Sequence, residues 1–464
     1  EEFEIKDSKA TARAKPKKLT KRRWQDFNRH FKAVEGWSST LRAEYGHETI
    51  DFISDAQLVG SGAKTMAAAA RSRRRPASVH WRAQPMPWRS DTRCDKCCGP
   101  PKKGMIRMPL KFHWRLLDGG ETRAAALQVW RDAPAKALPD LQAQVAFCHY
   151  AEQAGIDSLL VDINFGKPDP LTLALALCKE TDHMHFMVAC RPGLMSPTLF
   201  VQQVNTFSTL MPGRICLNIV AGHSPQEQRY YGDYLSHDER YARMDEFLAI
   251  CHAFWRDDGP VNFHGIYYHI EDGRLNTPFV SPQATQPAIY VGGNSLPARH
   301  VAIRHATCWM RFADTPEQLR AQILPVVEHG KEVGLRLSVI TRPTRQEALR
   351  AASALLTAHE LTAKSAREKT FVQDSDSVSI RDIFAQAEHE WLTPWLWMGA
   401  VRTHGTTAMA LVGTPQEVAT GILELGKLGI SQFILSGWPK QEEMQRFGSD
   451  VLPLVRAQER ASCA

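Results

Sequence analysis

The chain has 464 residues, 43% hydrophobic and 23% charged, a globular balance with a formal net charge of +7. No apolar run approaches the roughly 20 residues of a membrane span, and the opening segment lacks the apolar core of a secretory signal. Ten cysteines without a pairing rhythm argue against a disulfide scaffold and for reduced thiols in a cytoplasmic setting.

The positive charge is local. Residues 1–107 carry 24 Lys/Arg against 12 Asp/Glu, whereas residues 108–464 carry 33 against 38. A whole-chain argument for nucleic-acid binding therefore fails, and no nucleic-acid partner is expected. The first segment has weak periodicity, the basic clusters KPKKLTKRR and RSRRRP, and a Gly/Pro stop at GPPKKG. It reads as a basic, low-order leader, dispensable or non-native. CDKCC supplies Cys94, Cys97 and Cys98 with no matching pair nearby, so no metal site is expected. Met108 stands directly before the first strand-like run, and residues 108–464 are expected to form a complete domain.

Strand-like runs occur at 110–117, 157–162, 185–191, 214–222, 288–293, 306–312, 335–342 and 431–437. Several are apolar throughout, as strands covered on both faces should be. Amphipathic helices lie between them. One carries Leu141, Val145 and Cys148, and two others open on the T-P-E-Q of 315–318 and the T-P-Q-E of 414–417. Eight such units predict an α/β fold of the (β/α)8 TIM-barrel type. LLDGGE after the first strand is a poor match to the Gly-rich turn of the doubly wound alternative. Two connections are long. Residues 256–287 contain a hairpin around His264-Gly265, and residues 343–430 contain the Trp-rich WLTPWLWMGAVRTHG. Were the second to lie over the C-terminal face, it would cover an active site there.

Residues 236–255, SHDERYARMDEFLAICHAFW, carry the first functional signal. Tyr241, Met244, Leu248, Cys251 and Trp255 make an apolar stripe at helical spacing. Ser236 and Glu239 form an S-x-x-E capping box, which crowds His237 and Arg240 into the first turn. A solvated basic turn beside Asp238 is one reading; an anion site at the positive end of the helix dipole is the other. Strand five decides for the anion site, because it ends in Gly292-Gly293-Asn294-Ser295 and runs into a second helix start at Leu296-Pro297. Two helix starts at one barrel mouth make a phosphate cradle, with Asn294 and Ser295 as donors.

ACRPGLMSPT, MPGRICLNIVAG, HDERYARMDEFL, YVGGNS and FILSGWP, in this order and spacing, resemble the bacterial-luciferase-like flavin monooxygenases, and most nearly their alkanesulfonate monooxygenase branch. The resemblance spans about 110–455. It implies a (β/α)8 barrel with long insertions that binds reduced FMN, receives it from an NAD(P)H-dependent flavin reductase, and uses O2 to oxygenate a small substrate. It places His237 and Tyr241 by the flavin phosphate and ribityl chain, with Ser295 the matching serine, Asn218 the matching asparagine and Ala221 close to the ring. It assigns Arg336 and Arg402 to an anionic substrate group, which a guanidinium fork grips bidentately. A homo-oligomer is expected. The pocket departs from the sulfonate enzymes: Lys167 stands for a cysteine, Ser338 for a histidine, and Trp438 and Lys440 for a tyrosine and a histidine. Cofactor binding is thus expected to be retained and the substrate pocket altered, with Lys167 and Lys440 adding positive charge. The rival readings are a deazaflavin-dependent oxidoreductase on the same barrel and a flavin-binding paralogue without turnover.

Overall fold

The computed structural model describes residues 109–117, 139–356 and 372–463. The leader 1–107, with Cys94, Cys97 and Cys98, lies outside the described residues. Eight parallel strands close into a barrel: β1 (Lys111–Arg115), β2 (Ser158–Val161), β3 (His185–Cys190), β4 (Ile215–Ile219), β7 (Ile289–Gly292), β8 (Cys308–Phe312), β9 (Glu332–Arg336) and β13 (Ile430–Leu435). Around the barrel the order is β1, β13, β9, β8, β7, β4, β3, β2. A closed ring leaves no unpaired edge.

Alternation along the strands separates two apolar layers. Phe112 and Trp114 point outward from β1 beneath the helices, where Phe112 stacks on Phe433 at 5.6 Å and meets Phe447 at 5.2 Å. The lumen holds Leu160, Met187, Tyr290, Cys308, Met310 and Ile434. Its polar members are paired: His113 Nδ1 lies 2.7 Å from Ser158 Oγ and Nε2 lies 2.8 Å from Gln432 Oε1. Burial lowers the His113 pKa, which keeps the ring neutral.

Each crossover helix begins where a side chain satisfies an orphan N–H. Asp140, Asp169, Ser196, Ser295, Thr315 and Thr414 all cap in this way. The Ser236 capping box is formed, and the stripe from Tyr241 to Trp255 is buried in the helix His237–Arg256. In the helix Leu141–Gln153 the buried face is instead Gln144, Phe147, Cys148 and Ala151, and Leu141 is exposed. Residues 256–287 contain the expected hairpin, β5 (Val261–His264) against β6 (His269–Gly273). Glu246 pins its tip by accepting the N–H groups of Ile266, Tyr267 and Tyr268 at 2.7, 2.9 and 3.1 Å.

One strand expectation is corrected. The run 335–342 is not a single strand, because the barrel strand β9 starts at Glu332 and ends at Arg336. After Leu337 the chain enters β10 (Ser338–Thr341), which pairs with β12 (Ala410–Gly413), itself paired with β11 (Leu396–Trp397). The early start was hidden because Glu332 looks too polar for a barrel strand. Gln432 Nε2 and Ser431 Oγ donate to its carboxylate and make the position tolerable. No described helix is long and apolar enough to cross a membrane.

Candidate functional site

The C-terminal ends of the barrel strands define the mouth, where the loops that follow them carry functional side chains in this architecture. On one side the helices His237–Arg256 and Leu296–His305 begin. Tyr241 links them. Its hydroxyl donates to the Gly292 carbonyl at 3.1 Å and is hydrogen-bonded to Ser295, and burial pushes its pKa up to about 12. It is therefore a neutral hydroxyl throughout the neutral range. Gly293 has to be glycine: its φ is +129°, and a Cβ there would lie 2.3 Å from the Tyr241 hydroxyl. Trp309 Nε1 fixes the same turn by donating to the Gly293 carbonyl at 2.8 Å.

His237 lies against Tyr241 with ring centroids 5.0 Å apart, and its Nδ1 is 2.7 Å from Asp238 Oδ1. That leaves Nε2 for a ligand. Ser295 Oγ accepts from Ala298 N as the helix cap, and its proton, which faces the Tyr241 oxygen, can be turned to a ligand by rotation of the hydroxyl. Two adjacent helix starts flanked by hydroxyl and imidazole side chains suit a phosphate monoester, and the residues present fit the phosphate end of FMN.

Arg240 is not part of that donor set. Its side chain is buried, with Nε on the Ala221 carbonyl at 2.9 Å, Nη1 on the Leu235 carbonyl at 2.8 Å and Nη2 on Asp376 at 2.7 Å. The anion-site expectation for Arg240 is thereby corrected: its donors are consumed in clamping Ala221 to the insertion. Asn218 lies on β4, buried, with Nδ2 3.4 Å from the Tyr290 carbonyl.

The insertion reaches this side of the mouth. Ser375 Oγ donates to the His223 carbonyl at 2.8 Å, Asn294 N donates to Ser379 Oγ at 2.8 Å, and Gln386 Nε2 donates to Asp314 at 2.8 Å. The segment 375–386, including the helix Val378–Gln386, thus lies across the ends of β4, β7 and β8. Long excursions at a barrel mouth commonly serve binding.

The other side of the mouth is cationic. Arg336 ends β9, partly buried, with Nη1 on the carbonyls of Leu337 (3.0 Å) and Ile434 (3.2 Å) and Nη2 on Ser436 Oγ (3.3 Å). No carboxylate lies within ion-pair distance of it among the described residues, and burial lowers its pKa to about 10. Ser338 belongs to the same chain of contacts, with its Oγ 2.9 Å from Ser436 Oγ. Lys167 does not add a free charge there: Asp162 pairs with it at 2.7 Å and also pairs with Arg115.

The remaining expected residues are scattered. Arg402 is half exposed, donates to the Ala387 carbonyl at 3.1 Å and approaches Glu388 at 3.8 Å, contacts that lie within the insertion. Trp438 meets His404 edge-on at 6.1 Å and packs with Ile340 and Trp397 against the small sheet. Sequence reasoning missed Arg191 and Glu227, a buried ion pair at 2.9 Å beyond the ends of β3 and β4. The available signal was an arginine closing an apolar strand, the same signal that singled out Arg336.

Solved structures share this fold. A riboflavin lyase with modified FMN and riboflavin is 20% identical, with a TM-score of 0.60 over 77% of this chain and 93% of that one. EDTA monooxygenase from Chelativorans sp. BNC1 is 20% identical, with a TM-score of 0.60 over 76% and 94%. An F420-dependent secondary alcohol dehydrogenase is 17% identical, with a TM-score of 0.54 over 75% and 100%. The luciferase-like monooxygenase family matches residues 119–432, and the chain belongs to that family of enzymes.

Proposed function

We propose that the protein binds reduced FMN at the barrel mouth and uses O2 to oxygenate a small anionic substrate, in the manner of alkanesulfonate monooxygenases but with an altered pocket. The observation that carries this reading is the pairing of a phosphate cradle at Tyr241, His237 and Ser295 with a guanidinium at Arg336, two strands round the mouth from β7. The flavin supplies the oxygen chemistry, and a separate NAD(P)H-dependent reductase supplies the reduced flavin. The chain's own residues bind and orient. Ser295, His237 and Tyr241 hold the phosphate end, Asn218 and Ala221 stand by the ring, and Arg336 takes the anionic group of the substrate. The segment 375–386 excludes water from that side. Arg402 and Trp438, which face the insertion and the small sheet, are proposed only as the pocket's outer wall.

Hydride transfer with a deazaflavin is the second reading, favoured by the barrel shared with the F420-dependent alcohol dehydrogenase. Anaerobic titration with reduced FMN and with the reduced deazaflavin separates the two. Tighter binding of FMN supports the monooxygenase. Tighter binding of the deazaflavin refutes it, and FMN binding without any oxygen-dependent product identifies a paralogue that has lost turnover.

A further inference from the structure

Arg191, whose Cζ lies 5.9 Å from the Tyr231 ring, presents two guanidinium nitrogens without a hydrogen-bond partner among the described residues. Its side chain and that of Glu227 are 3% and 6% exposed, and Nη2 serves both Glu227 Oε1 at 2.9 Å and the Ile163 carbonyl at 3.1 Å. Nε and Nη1 are buried and have no hydrogen-bond partner among the described residues. Buried N–H groups of a charged side chain are rarely left unmatched, because the desolvation cost is not recovered. No other described guanidinium leaves two nitrogens in this state.

The position is built. Arg191 follows β3 in register with the lumen residue Met187. Its guanidinium lies between the loop after β2, through Ile163, and the helix Pro225–Tyr230 after β4, through Glu227. Arg243 fixes the next turn by donating to the Pro192 carbonyl at 2.9 Å, and it packs so closely that a Cβ on Gly193 would meet its Cζ at 2.2 Å. In the barrel order β3 stands four strands from β9 in either direction, so Arg191 and Arg336 end diametrically opposed strands.

The two arginines differ in charge. Arg336 has no carboxylate within ion-pair distance among the described residues and feels Asp162 only at longer range, whereas Arg191 is paired with Glu227. A neutral Arg–Glu unit with spare N–H donors favours an uncharged, polarised oxygen over an anion, since a second anion would be repelled by Glu227. We infer that Arg191 is a ligand-binding residue whose free Nε–H and Nη1–H donate to an uncharged carbonyl oxygen of a molecule held in the mouth, opposite the anion-binding Arg336. This inference rests on the functional reading above. The carbonyl belongs either to the flavin or to the substrate.

The test uses the full chain and three variants: Arg191→Lys, which keeps a cation for Glu227 but loses the forked donors, Arg191→Met, and the double variant Arg191→Met/Glu227→Gln, which leaves no unpaired buried carboxylate. Reduced FMN is titrated anaerobically, and KM is measured by oxygen uptake on a panel of sulfonates, carboxylates and amides. Folding is followed by the thermal midpoint. A tenfold or larger rise in the FMN Kd in Arg191→Lys and the double variant assigns the carbonyl to flavin. The same rise confined to KM, with kcat retained, assigns it to substrate. Wild-type values for both quantities in both variants would overturn the inference and leave Arg191 a purely structural partner of Glu227. Should the wild type bind no FMN, the functional reading fails separately, and Arg191 is then judged by its ¹⁵Nε–¹H signal. A shift on addition of a panel amide supports the inference, and no shift with any panel compound overturns it.

Discussion

The Ser379 hydroxyl accepts the backbone N–H of Asn294 at 2.8 Å. This contact joins the insertion to the second helix start of the proposed phosphate cradle. Binding at the proposed cradle and docking of the segment 375–386 are therefore expected to be coupled, so that substitutions on either side move both.

Ser379→Ala removes that acceptor and leaves the partly buried N–H of Asn294 without it. Loss of one neutral hydrogen bond costs about 0.5–1.5 kcal/mol. Reduced-FMN affinity, measured by anaerobic titration, is expected to fall roughly three- to tenfold. An unchanged Kd would show that the contact holds the insertion without reporting to the cradle.

His237→Ala combined with Tyr241→Phe is expected to weaken reduced FMN binding on the order of tenfold or more, since hydrogen bonds to a charged group are lost. Tyr241→Phe alone also releases the Gly292 carbonyl and should lower stability by about 1 kcal/mol in urea titration. A double variant that binds FMN like the wild type would place the phosphate elsewhere.

Arg336→Met removes the charge at nearly constant volume. Binding of an anionic substrate is expected to weaken by about 2–5 kcal/mol, with FMN binding little changed. Equal loss of both would make Arg336 a support of the fold, through its bonds to Leu337, Ile434 and Ser436. Its pKa, lowered to about 10 by burial, sets the sign of the pH dependence. Affinity for the anion should be level from neutrality to near pH 9 and fall as pH rises through about 10, where the guanidinium loses its proton.

His113 is buried and neutral, so its folded pKa lies below its unfolded value of about 6.5. Between those two values the unfolded chain binds more protons, and the contribution of His113 is lost as pH falls below about 6.5. His113→Gln should flatten the decline of the thermal midpoint between about pH 6.5 and 5. Identical pH profiles in wild type and variant would assign acid sensitivity to other groups.

Sequence periodicity located seven of the barrel strands to within a few residues, because apolar runs covered on both faces differ sharply from the capped helices between them. The seventh in chain order was misplaced because LRLSVI is apolar across two sheets, and nothing local marks Leu337 as the departure point. The helix caps and the glycine turn beside the proposed cradle were legible, at Ser236, Gly293 and Ser295. The fate of Arg240 was not legible, since its partners Ala221 and Asp376 are distant in sequence. The fate of Lys167 was hidden for a different reason: Asp162 is only five residues away, but the two meet only through the fold of the loop after β2. Arg191 and Glu227 come together solely through the juxtaposition of β3 and β4, and no motif spacing encodes it.

Oxygen-dependent product formation, measured with reduced FMN supplied directly to the full chain across a panel of small organic anions, tests the central claim most directly. The account predicts that at least one anion other than ethanesulfonate or octanesulfonate is oxygenated, with label from ¹⁸O2 in the product and activity abolished in Arg336→Met. Reduced FMN that binds at the mouth yet gives no labelled product from any anion, or equal turnover in Arg336→Met, would contradict it.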